Sequence, residues 1–565
     1  MPKRRLYRDT NHTWWTDALF LTLVLGSLFF LFLGVRPLFV PDEGRYAEIA
    51  REMAATGDYI TPYLNGIKYF EKPALFYWLG AIAIKLGGLN LWVIRSLNAV
   101  LGILGCLLTY GITRQLYDRF TGLLAALILG TSTLYFVMSH MVSLDLPVTL
   151  FLAASLYAFL LGTEQPPGLK RRLLLWGCGI AAAFAVLTKG LIGLVFPGMI
   201  IATWIACTKQ WRLLLKLYLP STIIVFLLIA APWHYLVSIR NPEFFYFYFI
   251  EQHFLRYTTM DVGHYQPVWF FLPALVAGVF PWIVFLPQGI TAAIRQVFKK
   301  SRRYQTELFF LLWAILVFAF FSFSKSKLIP YILPVFPPLA ILTARYLASA
   351  IKQPSSFGKG IKAGYICLVI FAILFSIGSY LFTRNSPLPN PVLATFYLRL
   401  ASGIILIGSG ISCFYAGRHT LKAIIVTVVT AWLFLATLMA CFPAIDARSI
   451  RPLTTILLPI LTPQDEVITF NQYYQDLPYY LNRTVSINNW RNELTYGLQH
   501  QAAPWMINDA AFWQRWHSGK RVFVIISRDE LETLRHLHPK MRVYILGKTI
   551  NNALITNQIT PETGG

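Results

Sequence analysis

Charged side chains cluster in residues 38–78, directly after an apolar segment long enough to span a bilayer. Charge at a membrane boundary costs free energy unless water, a counter-charge or a ligand compensates it, so the cluster is a candidate functional site. The simpler alternative is a solvated loop that only joins two helices. The charged residues are Asp42, Glu43, Arg45, Glu48, Arg51, Glu52, Asp58, Lys68, Glu71 and Lys72.

Two carboxylates stand at positions that suit either chemistry or helix capping. The pair Asp42-Glu43 precedes a segment with apolar residues at helical spacing, which predicts an amphipathic helix lying on the membrane surface. Asp145, in SHMVSLDLP, comes at the mouth of a later span, and Pro147 fits the first turn of a helix there. An acid at a helix N-terminus is stabilising without any catalytic role, so both interpretations stay open.

Basic and polar residues recur in the motifs FEKP, LTKG, EQHFLRY and SKSKLIPYILP, each next to an apolar run. Snorkelling explains many terminal lysines of membrane helices. A convergent set of cations at the depth of the bilayer surface would instead suit a phosphate or pyrophosphate head group on a lipid. The motifs supply Glu71, Lys72, Lys189, Glu251, His253, Arg256, Lys325, Lys327 and Tyr331.

The composition is that of a polytopic membrane protein. Of 565 residues, 56% are hydrophobic and 13% are charged, whereas a soluble domain carries roughly 25% charged residues. Apolar runs at fourteen places reach or approach the length of a membrane span, so the fold is predicted to be mainly α. The net charge of +24 is scattered over short loops, which favours membrane orientation over nucleic-acid binding. The six cysteines lie in or beside apolar runs without a CxxC pair, which argues against disulfides or a structural zinc site.

The distribution of Lys and Arg predicts thirteen spans rather than fourteen. If the basic N-terminus is cytoplasmic and the run 73–88 lies in the interface, nearly all basic loops become cytoplasmic. That run is short, contains Lys85 and ends in a Gly-Gly pair, as suits an interfacial helix. The segments predicted to face the outside are then 37–91, 139–147, the turn at Lys189, 240–267, 324–327, 385–396 and everything after about 443.

Two domains are predicted, a transmembrane domain over 1–443 and a small soluble domain over 444–565. In the second, the β-branched segments DEVITFN, RTVSI, KRVFVIIS, MRVYILGK and NALIT predict strands, and RDELETLRHL predicts a helix. This alternation indicates a small α/β domain.

The order of these motifs resembles the GT-C class of membrane glycosyltransferases. Within that class, PDEGRYAEIAREM, YFEKPALFYW, SHMVSLDLP, LTKG and SKSKLIPYILP look like the aminoarabinose transferase (ArnT) family, which is related to protein O-mannosyltransferases. The resemblance covers the first 350 residues, while the C-terminal domain is similar in position and size. It implies transfer of 4-amino-4-deoxy-L-arabinose from undecaprenyl phosphate to a lipid A phosphate, with inversion. Such transfer neutralises surface anions and would weaken binding of polymyxin and other cationic antimicrobial peptides.

Residue by residue, the resemblance implies that Asp42 and Asp145 are catalytic. A lipid A phosphate is already an anion near neutral pH, so Asp42 would orient the acceptor or bind the ammonium of the sugar; toward a hydroxyl acceptor it would be a general base. Lys72, Arg256 and Tyr331 would surround the carrier phosphate, where leaving-group charge develops. Arg45, Tyr46 and Lys189 are expected in the same environment.

The resemblance also implies one divalent ion, such as zinc, held by Glu71 together with Glu251 or His253. Two protein ligands make a weak zinc site, so the expected role is organising rather than catalytic. No organic cofactor is expected. The remaining charged residues of the first outer loop are predicted to be a solvated face: Glu48, Arg51, Glu52, Asp58 and Lys68.

Two other functions compete with this interpretation. A transferase of the same class could use mannose or galacturonic acid, or act on a protein hydroxyl. A transporter of lipid-linked sugars belongs to another class; transporters place charge at the bilayer midplane and show internal repeats, whereas here charge gathers at helix ends. The expected location is the bacterial inner membrane, with active site and C-terminal domain in the periplasm, and the chain is expected to be a monomer.

Overall fold

The computed structural model describes residues 12–255, 265–301, 303–539 and 541–558. Helices dominate the first 445 residues, and a mixed sheet with short helices follows. The helices are α1 (His12–Phe29), α2 (Asp42–Thr56), α3 (Leu75–Gly87), α4 (Leu91–Leu116), α5 (Arg119–Gly130), α6 (Thr133–Ser139), α7 (Asp145–Glu164), α8 (Leu169–Lys189), α9 (Ile192–Thr208), α10 (Leu219–Arg240), α11 (Phe271–Val279), α12 (Leu286–Phe298), α13 (Tyr304–Phe323), α14 (Phe336–Lys352), α15 (Pro354–Asn385), α16 (Pro391–Tyr415), α17 (Thr420–Ile445), α18 (Arg451–Leu457), α19 (Leu477–Leu481), α20 (Thr495–Gln499), α21 (Asp509–Trp516) and α22 (Arg528–Leu537).

Among the described residues, nine helices are long and apolar enough to cross a membrane, or up to eleven if each of two bent pairs is one span. Three shorter apolar helices are Thr13–Phe29, Leu75–Gly87 and Ile192–Thr208. Counting the first and the third of these as spans gives the thirteen predicted. The middle one, α3, has 13 residues and covers about 20 Å at 1.5 Å per residue, too little for a hydrocarbon core of about 30 Å.

The breaks in the two bent helix pairs lie against each other, and residues at one break form hydrogen bonds with residues at the other. Residues 119–139 bend by 68° and residues 268–298 by 105°, although hydropathy predicts each as one continuous run. The amide and hydroxyl of Thr133 donate to the Phe280 carbonyl at 3.1 and 3.0 Å. Trp282 Nε1 donates to Thr131 Oγ1 at 2.9 Å. Non-helical backbone at membrane depth is tolerated where protein groups satisfy it, as here.

The C-terminal domain is built on a six-stranded sheet of order β5-β4-β3-β6-β8-β7. Strands β3 to β6 run parallel, and β8 is antiparallel to both β6 and β7. All five predicted strands and the predicted helix α22 are present; the short β5 and the hairpin β1–β2 were not predicted. The strands are β1 (Tyr63–Leu64), β2 (Ile67–Lys68), β3 (Glu466–Phe470), β4 (Ser486–Asn488), β5 (Met506–Ile507), β6 (Val522–Ser527), β7 (Tyr544–Lys548) and β8 (Asn552–Thr556).

Helix α2 joins the two parts of the chain. Its apolar residues Ile49 and Met53 belong to one hydrophobic core with Tyr77 of α3 and with Tyr473 and Leu477 of the C-terminal domain. The packing is close, because a Cβ on Gly44 would come within 2.6 Å of the Asp476 nitrogen. Helix α2 therefore lies between α3 and the C-terminal domain rather than free on a membrane surface.

The prediction of a solvated face on this loop is wrong. Glu48, Arg51 and Glu52 are 0%, 6% and 5% exposed. Arg51 donates to Glu48 at 2.7 and 2.6 Å and to Asn482 of the C-terminal domain at 3.3 Å, and Glu52 accepts from the Gly66 amide at 2.8 Å. The polar face of α2 is thus buried against the hairpin and the C-terminal domain.

Asp58 and Lys68 likewise have partners on other elements. Asp58 accepts from Arg240 at 2.9 Å, and Lys68 Nζ donates to Glu243 at 2.9 Å. These contacts tie the first outer loop to the end of α10 and to the segment that follows it.

Candidate active site

Glu43, the second residue of α2, fixes the start of that helix. Its carboxylate is fully buried and accepts from the Phe39 amide at 2.8 Å, the Val142 amide at 2.9 Å and Arg95 at 3.0 Å. Arg36 forms a further ion pair at 2.6 Å. A buried charge is tolerated only when it is paired and hydrogen-bonded in this way. The network holds Asp42 at a set position and ties it to the loop that carries Asp145.

The charge state of Glu43 follows from these partners. Burial acts to raise its pKa, but Arg36 and Arg95 outweigh burial and lower the pKa to about 2. Glu43 is therefore an ionised anchor, and it has no proton to exchange near neutral pH.

Asp42 stands at the exposed edge of the site. Its side chain is 40% exposed and lies 3.5 Å from Arg45 one turn later. Arg45 also forms an ion pair with Glu493 of the C-terminal domain, and Glu493 accepts from Gln475 Nε2 at 2.8 Å. Two domains thus build the surroundings of Asp42.

Asp145 is the first residue of α7 and pairs with Lys189, the last residue of α8. Ser143 Oγ donates to Asp145 at 3.3 Å. The Lys189 ammonium lies 4.4 Å from the ring centroid of Tyr331, close enough for a cation–π contact. The structure therefore brings three of the predicted residues together: Asp145, Lys189 and Tyr331.

Tyr46 connects the two groups. Burial raises the pKa of its hydroxyl well above the ordinary value, and the nearby carboxylates of Asp42 and Asp145 raise it further. The Tyr46 hydroxyl stays protonated and can donate a hydrogen bond. Asp42 and Asp145 are thus both near enough to Tyr46 to act on its pKa.

Further polar side chains are buried next to Arg45. The Arg45 guanidinium lies 6.0 Å from the ring centroid of Tyr69. Tyr69 and Tyr77 are 2% and 0% exposed, and within the described part of the chain their hydroxyls have no hydrogen-bond partner. Burial raises the pKa of both tyrosines, Arg45 lowers it, and Glu71 and Glu493 raise it again. Arg45, two acids and two tyrosines therefore form one electrostatic cluster beside Asp42.

The predicted phosphate ligands are only partly described. Lys72 Nζ donates to the Glu71 carbonyl at 3.0 Å. Arg256 lies outside the described residues, as does the side chain of His253. Lys327 is 3% exposed and donates to the Gln266 carbonyl at 2.6 Å, so its ammonium is held by backbone.

The segment after α10 packs on the C-terminal domain. It contains a π-helical stretch, Tyr246–Leu255, where Phe247 stacks on Tyr496 with ring centroids 3.8 Å apart. The Tyr496 hydroxyl donates to the Glu243 carbonyl at 2.7 Å. Glu251 lies near enough to Tyr496 to act on its pKa, which burial raises to about 12 with Glu243 and Glu251 adding to the effect.

The divalent-ion site is not supported by the described residues. Among them, no group of three or more His, Cys, Asp or Glu side chains is arranged to hold a metal ion. Glu71 faces the Arg45–Glu493 pair, whereas Glu251 acts on Tyr496. The pairing of Glu71 with Glu251 or His253 stays a prediction, and no chemical step below depends on it.

Several residues of the site were not singled out by sequence. Tyr69 directly precedes FEKP, but the prediction from that motif concerned only its charged residues. Glu493 and Gln475 lie in polar segments of the C-terminal domain that carry no recognisable motif. Only the packing of that domain on α2 brings them to Arg45.

Comparison with known protein families matches both parts of the chain. Residues 18–248 match the model for dolichyl-phosphate-mannose-protein mannosyltransferase. Residues 453–557 match the model for the aminoarabinose transferase C-terminal domain. The predicted domain boundary at 443/444 lies between the two matched ranges, two residues before the end of α17.

Curated relatives and solved structures agree with these matches. The undecaprenyl phosphate-alpha-4-amino-4-deoxy-L-arabinose arabinosyl transferase of Pectobacterium carotovorum is 32% identical over 537 residues, 91% of this chain and 94% of its own length. The protein of the same name from Pseudomonas paraeruginosa is 33% identical and covers 75% of each chain. The crystal structure of ArnT from Cupriavidus metallidurans bound to undecaprenyl phosphate has a TM-score of 0.86 at 29% identity, covering 97% of this chain and 98% of that one.

A more distant structure shows the fold alone. The apo oligosaccharyltransferase of Archaeoglobus fulgidus has a TM-score of 0.53 at 13% identity. With a GT-C bundle, a C-terminal domain of the matching family, and relatives that align over nearly their whole length, this chain belongs to the aminoarabinose transferase family of membrane glycosyltransferases.

Proposed function

We propose that this chain transfers 4-amino-4-deoxy-L-arabinose from undecaprenyl phosphate to a phosphate of lipid A. The observation that carries the proposal is the Glu43 carboxylate, which accepts from the Val142 amide and so holds the loop of Asp145 against the start of α2, where Asp42 lies. The Asp145–Lys189 and Arg45–Glu493 ion pairs supply the charges around these two acids. The names of the relatives and the undecaprenyl phosphate bound to the Cupriavidus structure support the donor.

The proposed chemistry needs little proton transfer. The acceptor phosphate is largely ionised near neutral pH and is itself the nucleophile. It attacks the anomeric carbon of the sugar, the bond from that carbon to the carrier phosphate oxygen breaks, and undecaprenyl phosphate leaves with inversion. Asp42 orients the acceptor, and Lys72 with Lys189 stabilises charge on the leaving phosphate.

The acidic character of the cluster suits the amino sugar. Glu71 and Glu493 both act on the Arg45 guanidinium, and Asp42 lies 3.5 Å from Arg45. These carboxylates attract the ammonium of the donor sugar. A neutral hexose lacks this attraction, which provides discrimination between donors.

The proposed setting is the bacterial inner membrane, with the site and the C-terminal domain on the periplasmic side. Its support is the distribution of basic residues, which places Lys3, Arg4, Arg5 and the later basic clusters in the cytoplasm. The catalytic unit is proposed to be a monomer.

The test is mass spectrometry of lipid A from a polymyxin-sensitive, transferase-null strain expressing this chain. We expect a mass increase of one aminoarabinose and restored polymyxin resistance. An expressed, membrane-inserted protein that leaves lipid A unchanged would refute the proposal.

One observation favours a second candidate, transfer of a sugar to a protein hydroxyl. The match of residues 18–248 to the protein mannosyltransferase model covers the Asp42 and Asp145 regions. Asp42 would then be a general base. The same strain would show unmodified lipid A and a glycosylated envelope protein instead.

A further inference from the structure

A cavity of about 580 Å³ lies where the C-terminal domain meets the membrane domain. Residues that follow the carboxyl ends of β3, β4 and β6 form half of its wall, and Val40 and Pro41, directly before Asp42, close one side. Strands β4 and β6 pair with opposite edges of β3. The cavity therefore occupies the crevice at a topological switch point of parallel strands, where open α/β sheets bind ligands.

Two buried side chains in the wall have unused polar atoms. Tyr473 is 2% exposed and Gln475 is 5% exposed. The Tyr473 hydroxyl and the Gln475 Oε1 have no hydrogen-bond partner within the described part of the chain. Both atoms are shielded from the cavity as well as from solvent, so these two side chains form the wall, and the exposed residues of the wall supply the contacts to a ligand.

The charge around the cavity favours an anion. Arg448 and Arg528 are exposed at its wall, and Asp529 is the one acid among the lining residues. Helix α22 begins at Arg528, with Ser527 accepting from the Glu530 amide at 3.2 Å, so its N-terminus faces the same region. Arginine suits phosphate because its planar guanidinium donates two parallel hydrogen bonds.

The position of the cavity relative to the membrane limits the kinds of ligand that can reach it. Arg448 follows the last residue of α17, Ile445, by three residues, which places it near head-group depth. Trp490 also lines the cavity and offers an aromatic face on which a sugar ring can pack. A phosphate monoester on a saccharide satisfies the arginines and the aromatic ring together.

We propose that this cavity binds the phosphorylated saccharide head group of the acceptor lipid and presents it to Asp42. The inference rests on the proposed function. Gln475 links the cavity to the site, since its amide nitrogen donates to Glu493, which pairs with Arg45 beside Asp42. The acceptor and the donor thus enter from opposite sides of α2, the acceptor from the C-terminal domain and the donor from the membrane domain.

Steady-state kinetics of the purified full chain tests this assignment. We expect Arg528→Gln and Arg448→Gln each to raise the KM for the lipid acceptor about tenfold, with kcat and the KM for the donor within twofold of wild type. The matched control is Arg535→Gln, an exposed arginine at the far end of the same helix. Acceptor KM values equal to that control would overturn the proposal.

A binding measurement separates a lipid head group from a free phosphate. Calorimetry of the detergent-solubilised chain with glucosamine 1-phosphate should show binding that Arg528→Gln weakens at least tenfold and Arg535→Gln leaves unchanged. Equal affinity for inorganic phosphate, with an unchanged acceptor KM in Arg528→Gln, would make the cavity a phosphate site and overturn the acceptor role. If wild type transfers no sugar to lipid A, the proposed function fails, whereas arginine-dependent binding of the sugar phosphate would still support this cavity as a phosphosaccharide site.

Discussion

Arg45 of helix α2 forms an ion pair with Glu493 of the C-terminal domain. The same Arg45 guanidinium lies 3.5 Å from the Asp42 carboxylate. Both partners are largely buried, with side chains 14% and 10% exposed. A soluble domain thus supplies a charged group to the surroundings of a residue at the membrane boundary. The C-terminal domain is part of the site, and its removal would leave Arg45 without its main counter-charge.

Replacing Glu493 by Gln should lower kcat/KM by ten- to a hundredfold while leaving the fold intact. A charge-assisted hydrogen bond contributes about 1.5–3 kcal/mol, and about 1.4 kcal/mol is a factor of ten in rate. The amide keeps the shape of the carboxylate and can still contact Gln475. Glu532→Gln, an exposed change on α22, is the control. Equal turnover of the two variants would show that the ion pair has no part in transfer.

A double-mutant cycle at Asp145 and Lys189 separates structure from chemistry. Asp145→Asn leaves the Lys189 ammonium without its partner, so we expect a lower thermal midpoint in detergent and no transfer. Lys189→Gln leaves the Asp145 carboxylate without that ion pair, so we expect the same two effects. The double variant should recover the midpoint, because neither charge then lacks a partner, but it should stay inactive. Recovered transfer in the double variant would show that Asp145 and Lys189 have only a structural role.

We predict that Glu43 has a structural role and takes no part in the chemistry. Glu43→Gln keeps the volume but leaves Arg36 and Arg95 short of a counter-charge in a fully buried site, a change that typically costs about 3–5 kcal/mol. We expect a large drop in the thermal midpoint together with loss of activity. Normal stability with lost activity would instead place Glu43 in the chemistry.

Asp476 should make stability fall as pH rises. It is fully buried with neither carboxylate oxygen paired among the described residues, and burial raises its pKa to about 8. In the unfolded chain it titrates near 3.9. Between these values the folded state holds a proton that unfolding releases, so stability declines from about pH 4 to about pH 8.

Asp476→Asn should therefore raise the thermal midpoint at pH 8 and have little effect at pH 4. Melting of wild type and variant across this range measures the difference directly. A difference that stays constant with pH would show that Asp476 is not protonated in the folded protein.

Much of the fold follows from local pattern. The helical spacing of Ile49 and Met53 predicts α2, and β-branched runs predict five strands, because each signal depends on neighbours in the chain. Hydropathy measures the length of an apolar run but not its direction, so the bends at Thr131 and Pro281 were not predicted.

The site was predictable only where a motif carries it. Asp42, Asp145 and Lys189 lie in recognisable segments. The structure pairs Asp145 with Lys189 beside Tyr331 and places Asp42 next to Arg45. Glu493 reaches Arg45 through tertiary packing, which no local pattern encodes. The same packing buries Glu48 and Arg51. The sequence predicts that the polar face of α2 meets solvent, because its pattern shows the helix to be amphipathic but not that a second domain covers that face.

Lipid A mass spectrometry with Asp42→Asn beside wild type tests the central claim most directly. In a transferase-null strain we predict that wild type adds aminoarabinose to lipid A, whereas Asp42→Asn, expressed and membrane-inserted at the same level, adds none. Near-normal aminoarabinose addition by Asp42→Asn would contradict the account.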